Sequence, residues 1–182
     1  KLTGPTVMFA AQEKYVNEGL PKSFGLALIL IGASFFVLFK SVKYGLLALI
    51  PSVVPIIMAG GVATLIGIDL DLGTLIVGAM TMGIAVDDSI HMVSRYRLAR
   101  LEGSDVHQAM RRAMNESGRA IITTSIILVI GFSVFLMASL VPTIDIGRFS
   151  AIIFLLALFG VLFFIPSILY ILDGKEEELQ TV

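Results

Sequence analysis

Cysteine is absent from this chain of 182 residues, and histidine occurs only twice, as His91 and His107. These absences exclude a disulfide framework, a thiolate metal site and a histidine-rich metal site. Charged residues are also scarce: they make up 15% of the chain, whereas soluble proteins carry about 25%. Together with a mean hydropathy of +0.95, this scarcity indicates a membrane protein.

Known catalytic patterns are lacking too. The sequence contains no recognisable nucleophile–base pair, metal-ligand cluster or phosphate-binding loop, so we expect no catalytic residues, no bound metal and no enzymatic activity. The chain opens on Lys1 and a polar stretch rather than on a signal peptide. We therefore expect residues 1–21 to be the tail of an extracytoplasmic domain in a longer protein.

Five apolar segments follow this tail. Each is long enough, or nearly so, to cross about 30 Å of hydrocarbon as a helix of ~20 residues. We predict an all-α membrane protein: a bundle of five transmembrane helices within residues 22–174, plus one cytoplasmic amphipathic linker helix. The predicted spans cover residues 22–40, 44–67, 72–97, 119–141 and 146–172.

Positive charges alternate between the connections of these spans. Lys40 and Lys43 lie between the first two spans, and six arginines follow the third, whereas the connection before the third span has no positive charge. The positive-inside rule therefore places the basic connections and the tail 175–182 in the cytoplasm. We expect a protein of the bacterial inner membrane with a cytoplasmic C-terminus.

The linker helix is predicted over residues 104–117. Its apolar residues recur at helical spacing, as in a helix that lies in the membrane interface. We expect Ser104 to cap its start, Asp105 to complement the helix dipole and Gly118 to end it.

Two adjacent carboxylates, Asp87 and Asp88, follow 15 uncharged residues that begin at Leu72. An ionisable group at membrane depth costs at least ~2.5–3.5 kcal/mol, and such groups usually mark a pathway or a proton relay. Two neighbouring carboxyl groups cannot both ionise cheaply in a low dielectric, because their negative charges repel each other. The pair is therefore suited to take up and release a proton. The alternative is a structural cluster held by hydrogen bonds.

The surroundings of the pair follow from helical spacing. Ala79, Gly83, Asp87 and His91 recur every four residues and share one side of the helix, where the two small residues would let a neighbouring helix approach. His91 can reach either carboxylate, although it is equally expected simply to lie at the interface. In the next span, three hydroxyls could bond either the carboxylates or their own preceding turn: Thr123, Thr124 and Ser125.

The segment GIAVDDSIHMVSRYR, preceded by IPSVVPIIMAGG, resembles the resistance–nodulation–division (RND) superfamily, and most closely its MMPL-like hydrophobe/amphiphile exporters. The chain resembles the last five helices of such a twelve-helix transporter. The resemblance implies a proton-driven exporter of lipids or other hydrophobic molecules, with Asp87 and Asp88 as the proton relay and Thr123 and Thr124 as hydroxyl partners.

The resemblance also implies the partners of the chain. These are membrane lipid, a hydrophobic substrate, and the remaining transmembrane helices and extracytoplasmic domains of the same transporter; protons are the coupling ion and no other cofactor is expected. The resemblance leaves open whether the protein forms a homo-oligomer, and we expect no nucleic-acid partner. Two other functions remain: a sterol-sensing or lipid-receptor-like module that does not pump, and a SecD/SecF-type accessory of protein translocation.

Overall fold

The computed structural model describes residue 22, residues 25–68 and residues 72–180, and every regular element in this part of the chain is helical. The predicted all-α architecture is therefore confirmed, while the tail predicted over residues 1–21 lies outside the described residues. The helices are α1 Gly25–Phe39, α2 Val42–Leu65, α3 Leu72–Leu101, α4 Val106–Ala113, α5 Arg119–Ser133, α6 Val141–Phe159 and α7 Ile165–Gln180.

Four helical segments are long and apolar enough to cross a membrane. They are Val42–Leu65, Gly73–Leu101, Val106–Met137 and Val141–Gly174. The described part of α1 is shorter than the ~20 residues that a crossing requires. The structure therefore supports four spans, and the predicted count of five is not confirmed.

The linker helix does not form a separate element. α4 continues through a π-helical turn, Met114–Gly118, directly into α5. Gly118 has φ −59° and ψ −37°, an ordinary helical conformation, so the predicted stop at this glycine is wrong. Ser117 and Gly118 are buried in this turn, which contacts α3, so tertiary packing keeps the chain helical where glycine alone would permit an end.

The cap of α4 also differs from the prediction. The Asp105 carboxylate accepts a hydrogen bond from the Gln108 N–H at 2.7 Å, so Asp105 is the N-cap. Ser104 belongs instead to the turn that ends α3, where its N–H donates to the Ala99 carbonyl at 3.1 Å. Gly103, with φ +89°, makes this turn possible because glycine tolerates the left-handed region.

α6 contacts three other helices, α2, α3 and α5. Two close approaches fix its position. A Cβ placed on Gly147 would lie 2.9 Å from the Phe135 Cβ, and one placed on Gly160, just after α6, would lie 3.3 Å from Pro55 Cγ of α2. Glycine at these two positions therefore sets the spacing of α6 from its neighbours.

Candidate functional site

The two carboxylates predicted as a relay lie on α3, between its apolar first half and its arginine-rich end. α3 packs into the bundle through Ala85, Ser89, Met92, Val93 and Tyr96, all of which are buried. The Asp87 side chain points away from this packed side and is 70% exposed, whereas Asp88 is partly buried. Helical geometry thus separates two neighbouring acids into different environments.

A serine pair fixes the rotation of α3 that exposes Asp87. The Ser89 hydroxyl is fully buried, donates to the Ala85 carbonyl at 2.8 Å and lies 3.3 Å from the Ser52 hydroxyl of α2. Because Ser89 is two residues from Asp87, this contact with α2 turns Asp87 outward.

His91 approaches the first of the two acids. Its Nε2 lies 3.6 Å from Asp87 Oδ1, and both side chains are exposed. The predicted reach of His91 to Asp87 is present in the structure. Asp88 forms no hydrogen bond or ion pair within the described residues.

The small residues Ala79 and Gly83 are exposed on the same side of α3 as Asp87 and His91. These four residues are called the 79–91 face below. A Cβ placed on Gly83 would meet no described atom within 4 Å. Since charged groups that face lipid are costly and small residues permit close helix contact, this surface is suited to another helix.

The hydroxyls of α5 lie apart from the acids. Thr124 Oγ1 donates to the carbonyl of Ala120 at 3.0 Å and is 3.1 Å from that of Ile121, so it bonds its own preceding turn. Thr123 is exposed and Ser125 is buried. In the described chain, none of the three forms a hydrogen bond with Asp87 or Asp88, and α5 packs chiefly on α6. Their role as relay partners stays a prediction.

A second acidic site was not predicted from the sequence. Asp173 of α7 is only 2% exposed; its Oδ1 lies 2.7 Å from Lys43 Nζ, and its Oδ2 accepts hydrogen bonds from Tyr96 Oη at 2.7 Å and Tyr44 Oη at 3.0 Å. This Asp173 cluster joins α2, α3 and α7. The signal in the sequence is a lone acid at the end of an apolar run, whereas the position of Lys43 indicates only the orientation of the chain in the membrane.

The described residues contain no group of three or more histidine and acidic side chains that could hold a metal ion. The charged residues gather instead at the end of the bundle where α3 ends and α4 contacts both α3 and α7. There, Arg112 pairs with Glu102 and, at 2.8 Å, with Glu116.

Comparison with known proteins identifies relatives of this chain. The chain is 26% identical to MJ1562 of Methanocaldococcus jannaschii over 169 residues, which cover 93% of this chain and 44% of the relative. It is 25% identical to ActII-3 of Streptomyces coelicolor over 175 residues, 93% of this chain and 25% of that protein. Both relatives are named as membrane proteins, and the chain spans less than half the length of either.

A family model described as "MMPL family" matches residues 1–178, nearly the whole chain. Together with four helices able to cross a membrane, this match identifies an integral membrane protein. The chain belongs to the MMPL family.

Proposed function

We propose that this chain is part of an RND-type transporter, driven by the proton-motive force, that exports lipids or other hydrophobic and amphiphilic molecules. Asp87 and Asp88 are its intramembrane proton relay, and protons are the coupling ion. One observation carries the proposal: Asp87 is 70% exposed on a face of small residues in a membrane-spanning helix. A merely structural acid would be expected among hydrogen-bond donors, as Asp173 is.

Such a relay depends on the free energy that it costs to place a charged group in apolar surroundings. When the acid pair binds a proton, it loses one negative charge, and the 79–91 face becomes less costly to bury in apolar surroundings. Ionisation restores the cost and favours contact with water or with a polar partner. Protonation thereby changes which packing of α3 is preferred, as coupling to alternating access requires. His91, 3.6 Å from Asp87, is placed to exchange a proton with it.

The remaining helices and the extracytoplasmic domains would come from the rest of the protein. The relatives are more than twice as long as the aligned region, which supports this view. The orientation is part of the proposal: the basic end of α3, the turn to α4 and the C-terminus lie in the cytoplasm of a cell whose inner membrane holds the transporter.

The test compares lipid composition in the inner and outer membranes of cells that carry the complete polypeptide. The strains are wild type, a deletion, the double variant Asp87→Asn/Asp88→Asn, and the control Asp105→Asn. The control also removes one carboxylate charge, but asparagine caps a helix as well as aspartate does. We expect the double variant to insert normally and to hold back the same lipid as the deletion, and the control to match wild type.

Other results would contradict the proposal. If the deletion changes lipid distribution and the double variant does not, the carboxylates are structural and the sensor or receptor function is favoured. If neither strain changes, lipids are not the cargo, which favours another substrate or the protein-translocation function.

A further inference from the structure

A groove lies between α4 and α7 at the charged end of the bundle. Its volume is about 580 Å³, and its lining includes His107, Met110, Arg111, Ser167, Tyr170 and Ile171. The groove is formed by two helices that do not carry the acid pair.

The distribution of charges along the chain indicates that the groove lies near the boundary between lipid and water. On one side, the apolar part of α7 ends at Gly174; on the other, α4 follows directly after the charged end of α3. A ligand in this groove would therefore have its polar part at headgroup depth and its apolar part in the hydrocarbon.

Arg111 supplies a positive charge to the groove. Within the described residues it forms no ion pair or hydrogen bond, and its side chain is exposed. Its neighbour Arg112 differs, because both Glu102 and Glu116 pair with it. Two adjacent arginines on one helix thus have different surroundings, and only Arg111 lines the groove.

The opposite wall is apolar with a polar edge. Tyr170 and Ile171 are 49% and 56% exposed, a large apolar surface beside a cation. The His107 ring packs edge-on against the Tyr170 ring, with centroids 5.0 Å apart, and its Nε2 lies 3.3 Å from Tyr170 Oη. This contact holds the wall in place and leaves Arg111 available.

We propose that the α4–α7 groove binds an anionic phospholipid, with Arg111 paired to the headgroup phosphate and an acyl chain along Tyr170 and Ile171. A basic pocket between helices at a membrane surface favours such headgroups. A free phosphate would leave the apolar wall unused, and a zwitterionic lipid would leave the charge of Arg111 less well compensated. The site is independent of the transport proposal, since no relay residue takes part.

The experiment measures equilibrium binding of fluorescent phosphatidylglycerol and phosphatidylcholine to the complete polypeptide in neutral detergent. The variants are Arg111→Gln, Arg111→Lys and Ser167→Phe, which fills the groove without changing charge. The control is Arg119→Gln: Arg119 is also exposed, forms no ion pair within the described residues and lies outside the groove. Melting temperatures establish that each variant is folded.

We expect wild type to prefer phosphatidylglycerol, and Arg111→Gln to bind it about fivefold more weakly, the ratio that one basic side chain contributes at a membrane surface. Ser167→Phe should weaken binding of both lipids, while Arg111→Lys and Arg119→Gln should stay near wild type. Equal losses for Arg111→Gln and Arg119→Gln would mean general charge attraction and would overturn the site. Full competition by glycerol phosphate would identify a free-anion site and overturn the lipid assignment.

Discussion

Asp173 and Asp87 show what surroundings do to the same side chain. Asp173 is almost completely buried; its Oδ1 pairs with the Lys43 ammonium, and its Oδ2 accepts hydrogen bonds from two phenol groups. Asp87 is largely exposed, and its one partner within the described residues is His91 at 3.6 Å. A buried carboxylate with several donors holds elements together, whereas an exposed one is free to exchange a proton. We therefore assign a structural role to Asp173.

The Asp173 cluster makes a prediction about stability. Tyr96→Phe removes a hydrogen bond to a charged acceptor and should lower the free energy of unfolding by ~1.5–3 kcal/mol. Lys43→Met should cost more, about 3–5 kcal/mol, because it leaves a buried carboxylate without its counter-ion. Unfolding in neutral detergent is the measurement. Tyr170→Phe is the matched control, because it removes only the 3.3 Å contact between an exposed hydroxyl and His107 Nε2. If Tyr96→Phe and Tyr170→Phe unfold alike, the cluster does not stabilise the bundle.

At the scale of the helices, two glycines have opposite surroundings. The Gly147 position of α6 lies against α5 and the turn after it: an added Cβ would be 2.9 Å from Phe135 Cβ and 3.0 Å from the Phe132 carbonyl oxygen. Gly83 of α3 borders open space in the described chain. Glycine at 147 therefore serves packing within this bundle, and glycine at 83 is available for packing against another helix.

These surroundings predict different results for the same substitution. Gly147→Ala should destabilise the fold by ~1–3 kcal/mol, because backbone and Cβ atoms must move apart. Gly83→Ala is the matched control and should leave stability unchanged or slightly higher, since alanine favours helix. Thermal unfolding of the two variants checks this. Equal melting temperatures would mean that α5 and α6 do not approach as closely as the structure shows.

Gly83→Leu should have different effects on stability and on transport. Because no described atom lies near this position, the substituted chain should keep its stability. Under the proposed function, we expect lipid export by the complete protein to be lost, because the larger side chain would hold a neighbouring helix away from Asp87. The measurement is export beside melting temperature. A variant with normal export would show that α3 does not pack through this face.

For the molecule as a whole, the aligned region covers 44% and 25% of the two relatives named above, and the residues that the structure describes leave the 79–91 face uncovered. α5 is likewise little buried, with Ile126, Ile127 and Ile130 exposed. Apolar isoleucines suit contact with lipid, whereas the charged 79–91 face suits protein or water. We therefore expect the two surfaces to have different neighbours in the complete protein.

Cross-linking tests which neighbour each surface has. The chain lacks cysteine, so a single cysteine can carry a benzophenone label in a polypeptide freed of any other cysteine. We expect Ala79→Cys to cross-link to protein outside this chain, because charged residues of its face require a covering helix or water. Ile127→Cys, the control, should label lipid. Lipid labelling alone at both positions would contradict the assignment of the 79–91 face to another helix.

Three features could be predicted from the amino-acid sequence alone: the helical membrane architecture, the acid pair in an apolar segment and the reach of His91 to Asp87. These features depend on composition, on run length and on contacts four residues apart, which the local geometry of a helix fixes. For the same reason, the shared side of Ala79, Gly83 and Asp87 could be predicted.

Three other features depend on how the helices pack together: the side of α3 that is buried, the continuation of α4 through Gly118 into α5, and the second acidic site at Asp173. The hydroxyls bonded to Asp173 stand 77 and 129 residues away in the chain, beyond any local pattern. Their meeting depends on how α2, α3 and α7 pack, because a carboxylate loses its water on burial and must take its donors from whatever helices lie beside it.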